Sequence, residues 1–274
     1  MIKNIIYCFI LIPVFYSCND DDNVALESDN RMSSYNMEYT DYPFVYDDPL
    51  VDNDEIVNLL YTNNKLVKRQ GGLLNVSANT GVIGLYHPNV YDTIIYTPNR
   101  IITYNKIIPF GGSTDIVPNK REINYLDGRI INKVYHKNEN DGLANNDTIR
   151  FEYNGNKIVR TYKGRNNYVS RESLYYYNSN QNLDSIITKE YENYNLVYKM
   201  KETFENYDNA VNPFQNLTFF DDTFKRSLSR NNFRKYTKSE INLVLNETHG
   251  TYVKIYNLTY NPEGLPIFNI YQEN

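Results

Sequence analysis

One short pattern recurs along the chain and limits the folds that are open to it. A β-rich run containing a tyrosine is followed by a few residues drawn from Asn, Asp, Gly and Pro, and a second apolar run comes next. The copies lie at irregular intervals, which indicates one hairpin per copy with links of variable length. Their tyrosines are Tyr61, Tyr96, Tyr125, Tyr153, Tyr177 and Tyr260.

The residues between the two runs suit tight turns. Asn, Asp and Gly accept the positive φ angles that hairpin turns require, and Pro presets a bend. The pattern therefore predicts an all-β domain over residues 56–274, built as an antiparallel β-meander of repeated hairpins. The inherited twist of the strands should curl the meander into a curved open sheet or a partly closed barrel. We assign these residues to the turns: Asn63, Asn64, Pro98, Asn99, Asp127, Gly128, Asn154, Gly155, Pro262 and Gly264.

Alternation along the runs supports the strand assignment. Ile149, Phe151 and Tyr153 would share one face of a strand, with Thr148 and Glu152 on the other. Such a strand buries one face and leaves the other to the solvent.

One segment departs from this pattern. Leu217, Phe220, Phe224 and Leu228 are spaced as an apolar stripe on a helix. We predict a helix of about three turns near residues 216–229, lying against the apolar face of the sheet or covering its edge.

The hairpins resemble a known kind of repeat. Their form, Tyr-x-Tyr-Asn/Asp-x-Gly-x-Ile/Leu, is best seen from Phe151 to Ile158 and resembles the YD-type repeats of Rhs proteins. Tyr207-Asp208 followed by Asn212-Pro213-Phe214 extends the resemblance to uncharacterised secreted lipoproteins of Bacteroidetes that pair such repeats with this element. The resemblance covers roughly residues 56–271 and implies a β-hairpin fold; that group carries no assigned reaction.

Residues 1–17 have the features of a signal peptide. Lys3 gives a positive start, an apolar run extends from Ile5 to Phe15, and the small residue Ser17 precedes Cys18. The run is too short to span a bilayer. The segment ending at Cys18 resembles a bacterial lipobox, which implies that Cys18 is acylated, for example with palmitate, and becomes the new N-terminus.

Three acids follow at Asp20, Asp21 and Asp22. They resemble the export signal that sends Bacteroidetes lipoproteins to the outer face of the outer membrane, and a solvated acidic tether would have the same composition. Residues 18–55 show no sustained period, so we predict a tether there that becomes ordered towards Tyr42. We expect a lipid-anchored outer-membrane protein exposed at the cell surface, with a periplasm-facing anchor as the alternative.

Several kinds of chemistry lack a sequence signal. Cys8 lies in the leader and Cys18 would be acylated, so we expect no disulfide and no cysteine metal site. The formal net charge of -5 with dispersed lysines argues against a nucleic-acid partner. His87, His136 and His249 are isolated in sequence, and we expect no cofactor, no metal and no catalytic residue.

Two weaker patterns leave two interpretations each. An acidic group could hold calcium or form a solvated linker, although it lacks the glycine and the regular spacing of a calcium loop; it comprises Asp47, Asp48, Asp52, Asp54 and Glu55. Three Asp-Thr-Ile or Asp-Ser-Ile segments resemble the Bacteroidetes O-glycosylation motif and fit polar strand starts equally well; their hydroxyl residues are Thr93, Thr148 and Ser185.

The sequence does not reveal an activity. Repeated hairpins without a catalytic constellation favour a non-enzymatic module that binds a protein or a glycan. The main rival is a component of an outer-membrane uptake system that captures or processes glycans. A purely structural envelope protein is the third hypothesis.

Overall fold

The computed structural model describes residues 31–41, 55–75, 84–107, 119–136, 147–165 and 168–269. One compact unit spans Met32–Asn274, and the description below concerns that unit. Cys18, Asp20, Asp21 and Asp22 lie outside the described residues.

Strands account for most of the described chain. The large sheet contains β1 (Ser34–Asn36), β2 (Ile56–Thr62), β3 (Lys65–Asn75), β4 (Gly84–Thr97), β5 (Arg100–Ile107), β6 (Asn119–Leu126), β7 (Arg129–Tyr135), β8 (Asp147–Asn154), β9 (Lys157–Arg165), β10 (Tyr168–Tyr177), β11 (Leu183–Glu192), β12 (Asn195–Glu205), β13 (Lys235–Asn242) and β14 (Glu247–Ile255). A small hairpin of β15 (Thr259–Tyr260) and β16 (Pro266–Ile267) follows. There are 3-10 helices at Met37–Tyr39 and Pro213–Leu217, and a short α-helix, α1, at Phe224–Ser227.

The large sheet confirms the predicted fold class. Its fourteen strands follow one another in sequence order, and the pairs are antiparallel throughout. The first and last strands are not paired with each other within the described part of the chain, so no hydrogen-bonded ladder closes the sheet there. A backbone hydrogen bond of 2.5 Å from Asn36 N to Phe268 O links the C-terminal segment to β1.

The turn chemistry explains the hairpins. Asn63 and Asn64 have φ angles of 48° and 65°, and Asp127 and Gly128 have 49° and 73°. Two successive positive φ angles define the turn whose twist matches that of the flanking strands. All four residues adopt the left-handed backbone conformation, which Gly tolerates because it has no Cβ and which Asn and Asp tolerate better than other residues.

One connection folds back against the sheet, and we call residues 206–234, between β12 and β13, the plug. Within it, Asp222 bonds Arg69 on β3, the Phe224 ring contacts Phe151 on β8, and Ser229 Oγ accepts a bond from the backbone N–H of Leu183 on β11. Because one short segment contacts strands so far apart in the order, the sheet must curve around it. The plug lies on the concave face and contributes many of the buried core side chains.

The helical stripe of the sequence is broken in two, so the expectation of a single three-turn helix near 216–229 is wrong. The chain bends between the 3-10 helix and α1, where the Thr223 hydroxyl donates to the carbonyl of Leu217 at 3.0 Å. Asp221 and Asp222 lie in this bend and form ion pairs with different strands. The bend lies where Asp221 meets Lys133 and Asp222 meets Arg69. The apolar residues of the stripe still pack on the core, and the plug lies on the face of the sheet.

The predicted tether is partly wrong, because the domain begins before residue 55. Ser34–Asn36 forms β1, which pairs with β2, and Tyr35, Met37 and Tyr39 are buried. These three apolar residues alternate with polar ones in a stretch that is otherwise rich in Asp, Asn and Ser. Only Tyr35 lies in β1, and Met37 and Tyr39 belong to the 3-10 helix that follows it, so neither a strand pattern nor the surrounding composition marked the start of the domain.

Candidate functional site

A cavity of about 260 Å³ lies between the plug and the concave face of the sheet. Strands β7 to β12 form its wall, and the plug together with Asp41 forms its floor. The size is close to the lower end of ligand pockets and corresponds to about nine water molecules at ~30 Å³ each. Its polar lining consists of Asp41, Lys133, Tyr135, Thr161, Lys163, Arg171, Ser173, Tyr175, Thr188, Glu202, Asp221 and Lys225.

One side of the floor is an ionic cluster around Asp221. Its Oδ1 accepts bonds from Tyr135 Oη at 2.7 Å and Lys133 Nζ at 3.3 Å, and Arg121 Nη1 lies 3.3 Å from Oδ2. Burial opposes ionisation of Asp221, but the charges of Lys133 and Arg121 outweigh it and lower the pKa of the carboxyl. Burial also lowers the pKa of Lys133. Asp221 is therefore an anion at neutral pH.

A second polar cluster is centred on Glu202 of β12, where the wall meets the floor. Its Oε1 accepts bonds from Lys225 Nζ and from Tyr236 Oη, each at 2.6 Å. Its Oε2 is buried and has no hydrogen-bond partner among the described residues. Burial and the neighbouring carboxylate raise the pKa of the Tyr236 hydroxyl. Glu202 thus keeps one acceptor oxygen beyond those that the fold uses.

Asp41 is the most perturbed acid of the cavity. Its carboxylate accepts bonds from the backbone N–H of Lys225 at 2.5 Å and of Arg226 at 3.3 Å. Burial raises the pKa of Asp41 to about 7, although Lys225 and these N–H groups favour the charged form. The cavity therefore contains one acid that is partly protonated at neutral pH and one, Asp221, that is not.

Arg226 makes the floor rigid from beneath. Its buried guanidinium lies 4.0 Å from the centre of the Phe233 ring and 4.7 Å from the centre of the Tyr256 ring. Its Nε donates a hydrogen bond to the carbonyl of Tyr39 at 2.7 Å. Cations packed on desolvated rings are held more strongly than in water. This contact fixes the plug to the N-terminal segment.

The wall combines hydroxyl groups with apolar side chains. Thr161 Oγ1 lies 3.1 Å from Tyr175 Oη, and Ser173 Oγ lies 2.9 Å from Thr188 Oγ1. Ile149, Phe151, Ile186 and Met200 supply the apolar part of the wall, and Phe224 adds an apolar ring from the floor. Such a lining suits a small ligand that presents both hydrogen-bonding groups and an apolar face.

The predicted turn residues lie away from this cavity. Asn63, Asn64, Pro98, Asn99, Asp127, Gly128, Gly155 and Pro262 lie in turns, Asn154 ends β8, and Gly264 lies in the bend before β16 with a φ angle of 78°. Asp47, Asp48, Asp52 and Asp54 lie outside the described residues, whereas Glu55 is buried. Thr93 and Thr148 are half-buried on β4 and β8, and Ser185 is buried on β11.

The recurring tyrosines have a structural role. A shift of strand register precedes Tyr61, Tyr125, Tyr153 and Tyr177, and each ring is partly buried against the core. In several copies, the basic residue after one turn covers the tyrosine of the next: Lys65 lies over Tyr96, Arg129 over Tyr153 and Lys157 over Tyr177. The basic residue that follows each of the first four turns was the sequence signal for this packing; these residues are Lys65, Arg100, Arg129 and Lys157.

The cavity residues were also missed, because they come from six strands and the plug. Within the described ranges, no three of the His, Cys, Asp and Glu side chains are grouped closely enough to hold a metal ion. In the same part of the chain, no helix has the length and apolar character needed to cross a membrane.

Comparisons with known proteins found similarity at the level of structure only. No family model matches the chain, and no curated protein matches it significantly. The chain is similar to a porin-like protein from Bacteroides vulgatus, with a TM-score of 0.46 and 12% identity over 77% of this chain and 84% of that one. It is also similar to a porin-like protein from Bacteroides uniformis, with a TM-score of 0.45 and 10% identity over 77% of this chain and 79% of that one.

Proposed function

We propose that the protein is a non-enzymatic binding protein of the cell envelope, anchored by lipid at Cys18, and that its concave cavity holds the ligand. The cavity carries the proposal. Holding four charged residues around an open space, with Lys133 and Glu202 buried and Asp41 and Asp221 half-buried, has a desolvation cost that the fold alone does not require. A small polar ligand would contact these groups and gain from their fixed positions.

Binding can be tested by filling the cavity. Met200 faces the cavity from β12, so Met200→Trp should occupy part of it, whereas Lys201→Trp puts the same ring on the opposite face of the same strand. The full chain would be screened by thermal shift against monosaccharides, amino acids and dipeptides. We expect at least one compound to raise the midpoint temperature of unfolding for the wild type and for Lys201→Trp but not for Met200→Trp. Equal responses of all three proteins would contradict binding in the cavity.

The anchor and its location need separate tests. We expect labelled palmitate to be incorporated into the wild type and not into Cys18→Ala. If the acids at 20–22 direct the protein to the cell surface, protease added to intact cells should degrade it. Labelling that persists in Cys18→Ala would contradict the anchor. Protection from protease would favour the periplasm-facing alternative.

Glycan processing is the second candidate, and one observation favours it. Asp41 and Asp221 line the same cavity with pKa values shifted in opposite directions, as in paired acids that divide acid and base roles. Hydrolysis of aryl glycosides that is lost in both Asp41→Asn and Asp221→Asn would establish this function. If the wild type leaves every glycoside intact while still binding a ligand, the binding function stands alone.

A further inference from the structure

Two neighbouring hairpins end in apolar side chains that point into the solvent. At the β13–β14 turn, Val244 is 69% exposed and Leu245 is 60% exposed, with Leu243 beside them. At the β11–β12 turn, Tyr194 is 81% exposed and is followed by Leu196. We call these five residues the apolar hairpin ends. Several large apolar side chains at one exposed place indicate an interaction surface rather than scattered surface residues.

The backbone holds this surface in a fixed shape. Leu243 N donates to the carbonyl of Val197 at 2.9 Å, which ties one hairpin to the other. The side-chain oxygen of Asn242 accepts bonds from the N–H of Val244 at 3.0 Å and of Leu245 at 3.1 Å. Both apolar residues are therefore held at the tip of the turn, and no rearrangement is needed to present them.

The conformation of Tyr194 is a second, independent observation. Asn193 and Tyr194 have φ angles of 47° and 67°, and Gly is the residue that this second turn position favours. A bulky side chain there costs about 1–2 kcal/mol. Its ring makes an edge contact with Tyr168, at 5.1 Å between centroids, and otherwise lies in the solvent. A strained and exposed aromatic residue points to a use outside the folded unit.

We propose that the apolar hairpin ends insert into the surface of a lipid bilayer. Aliphatic side chains at a protruding turn can enter the acyl boundary singly, without a complementary groove. Tyr194 and Tyr168 stand beside them, and the amphipathic ring of tyrosine favours the level of the headgroups. The acids Glu192 and Glu247 flank the two turns, so the surface should prefer zwitterionic to anionic lipid.

The length of chain before the domain is compatible with this contact. The domain begins near the opposite end of the strands, where the Met32 carbonyl accepts a bond from Tyr61 next to the β2–β3 turn. β12 has 11 residues and so spans about 36 Å, whereas the 14 residues from Cys18 to Arg31 can extend over about 48 Å. An anchor at Cys18 and the hairpin ends can therefore reach the same bilayer. The inference goes beyond the proposed function and does not require a ligand in the cavity.

The chain contains no tryptophan, so a single introduced one reports on its own surroundings. Val244→Trp places the probe in the apolar hairpin ends. Leu126→Trp is the matched control, because Leu126 is 61% exposed at the turn between β6 and β7, at the other end of the strands. The full chain of each variant would be reconstituted with phosphatidylcholine vesicles, with and without lipids brominated in the acyl chains.

We expect the emission of Val244→Trp to move to shorter wavelength with vesicles and to be quenched by the brominated lipid, with no such change for Leu126→Trp. Replacing half of the lipid by phosphatidylglycerol should weaken the effect. Emission of Val244→Trp that stays water-like, or equal quenching of both probes, would overturn the proposal. A shift that appears without lipid and grows with protein concentration would also overturn it, since it would assign the surface to a second copy of the chain.

Discussion

Asp222 accepts two hydrogen bonds from Nη1 of Arg69, at 2.6 Å and 2.7 Å, and so joins the plug to strand β3. The same guanidinium donates through Nε to Asp92 at 2.9 Å and stacks 4.3 Å from the ring centre of Phe220. Arg69 and both acids are buried. One cation thus compensates two carboxylates in the interior of the curved sheet.

Replacing Arg69 should therefore destabilise the fold strongly. Arg69→Met leaves Asp92 and Asp222 buried without their cation, and we expect a loss of about 3–5 kcal/mol in the free energy of unfolding, measured in urea. Arg100→Met removes a pair with Glu122 that is largely exposed on the arginine side, and should cost less than about 1 kcal/mol. Similar losses in the free energy of unfolding for the two variants would show that the buried cluster stabilises the fold no more than the exposed ion pair does.

Asp41 should make stability fall as the pH rises towards neutrality. Its pKa is about 7 in the folded protein and near 4 when unfolded, so between these values the folded state binds a proton that the unfolded state has released. Between pH 5 and pH 7.5, titration of Asp41 should lower the free energy of unfolding by on the order of 2 kcal/mol. Asp41→Asn keeps an acceptor oxygen and removes the titration. Urea unfolding at both pH values should show a smaller decrease for the variant, and identical pH slopes would contradict the prediction.

Two glycines with positive φ angles should respond differently to a methyl group. At Gly71, with φ of 93°, a Cβ would lie 2.7 Å from the carbonyl oxygen of Ile56, which accepts a bond from Tyr86. At Gly128, with φ of 73°, nothing lies within 4 Å of the added atom. We expect Gly128→Ala to cost about 1 kcal/mol and Gly71→Ala about 2 kcal/mol or more in thermal or urea unfolding. Equal costs would mean that the backbone at Gly71 adapts freely.

Tyr194→Gly should separate stability from membrane contact. Glycine relieves the left-handed strain at this turn, so we expect a gain of about 0.5–1 kcal/mol in the free energy of unfolding in the absence of lipid. In the background of Val244→Trp, the same change should weaken quenching by brominated vesicles. A loss of stability would show instead that Tyr194 supports the fold through Tyr168.

The meander was predictable because its signals are local. A turn needs only a few residues that tolerate positive φ, as at Asn63-Asn64, or that preset a bend, as at Pro98-Asn99, and the apolar alternation of Ile149 and Phe151 directs their strand towards the core. The plug was not predictable as a shape. Its apolar stripe fits a helix, and the bend lies where Asp221 and Asp222 form ion pairs with distant strands, which the local sequence does not reveal.

The cavity could not be predicted for the same reason. Lys133, Glu202 and Asp221 are unremarkable polar residues in sequence, and only the curvature of the sheet brings them together. Their charges are compensated by partners up to 88 residues away, as in the bond between Lys133 and Asp221. The apolar hairpin end at Leu243–Leu245 was, in contrast, visible as three apolar residues between two asparagines.

The neighbour-to-neighbour order of the strands has a consequence for the order in which the parts of this domain fold. Each strand pairs with the strand that follows it in sequence, so no pairing requires a distant segment of the chain. Such low contact order favours rapid folding. The contacts of the plug are different, because Arg69 and Asp222 are 153 positions apart and Tyr39 and Arg226 are 187 apart. The meander would therefore form progressively along the chain, and its packing around the plug would be the final, slower event.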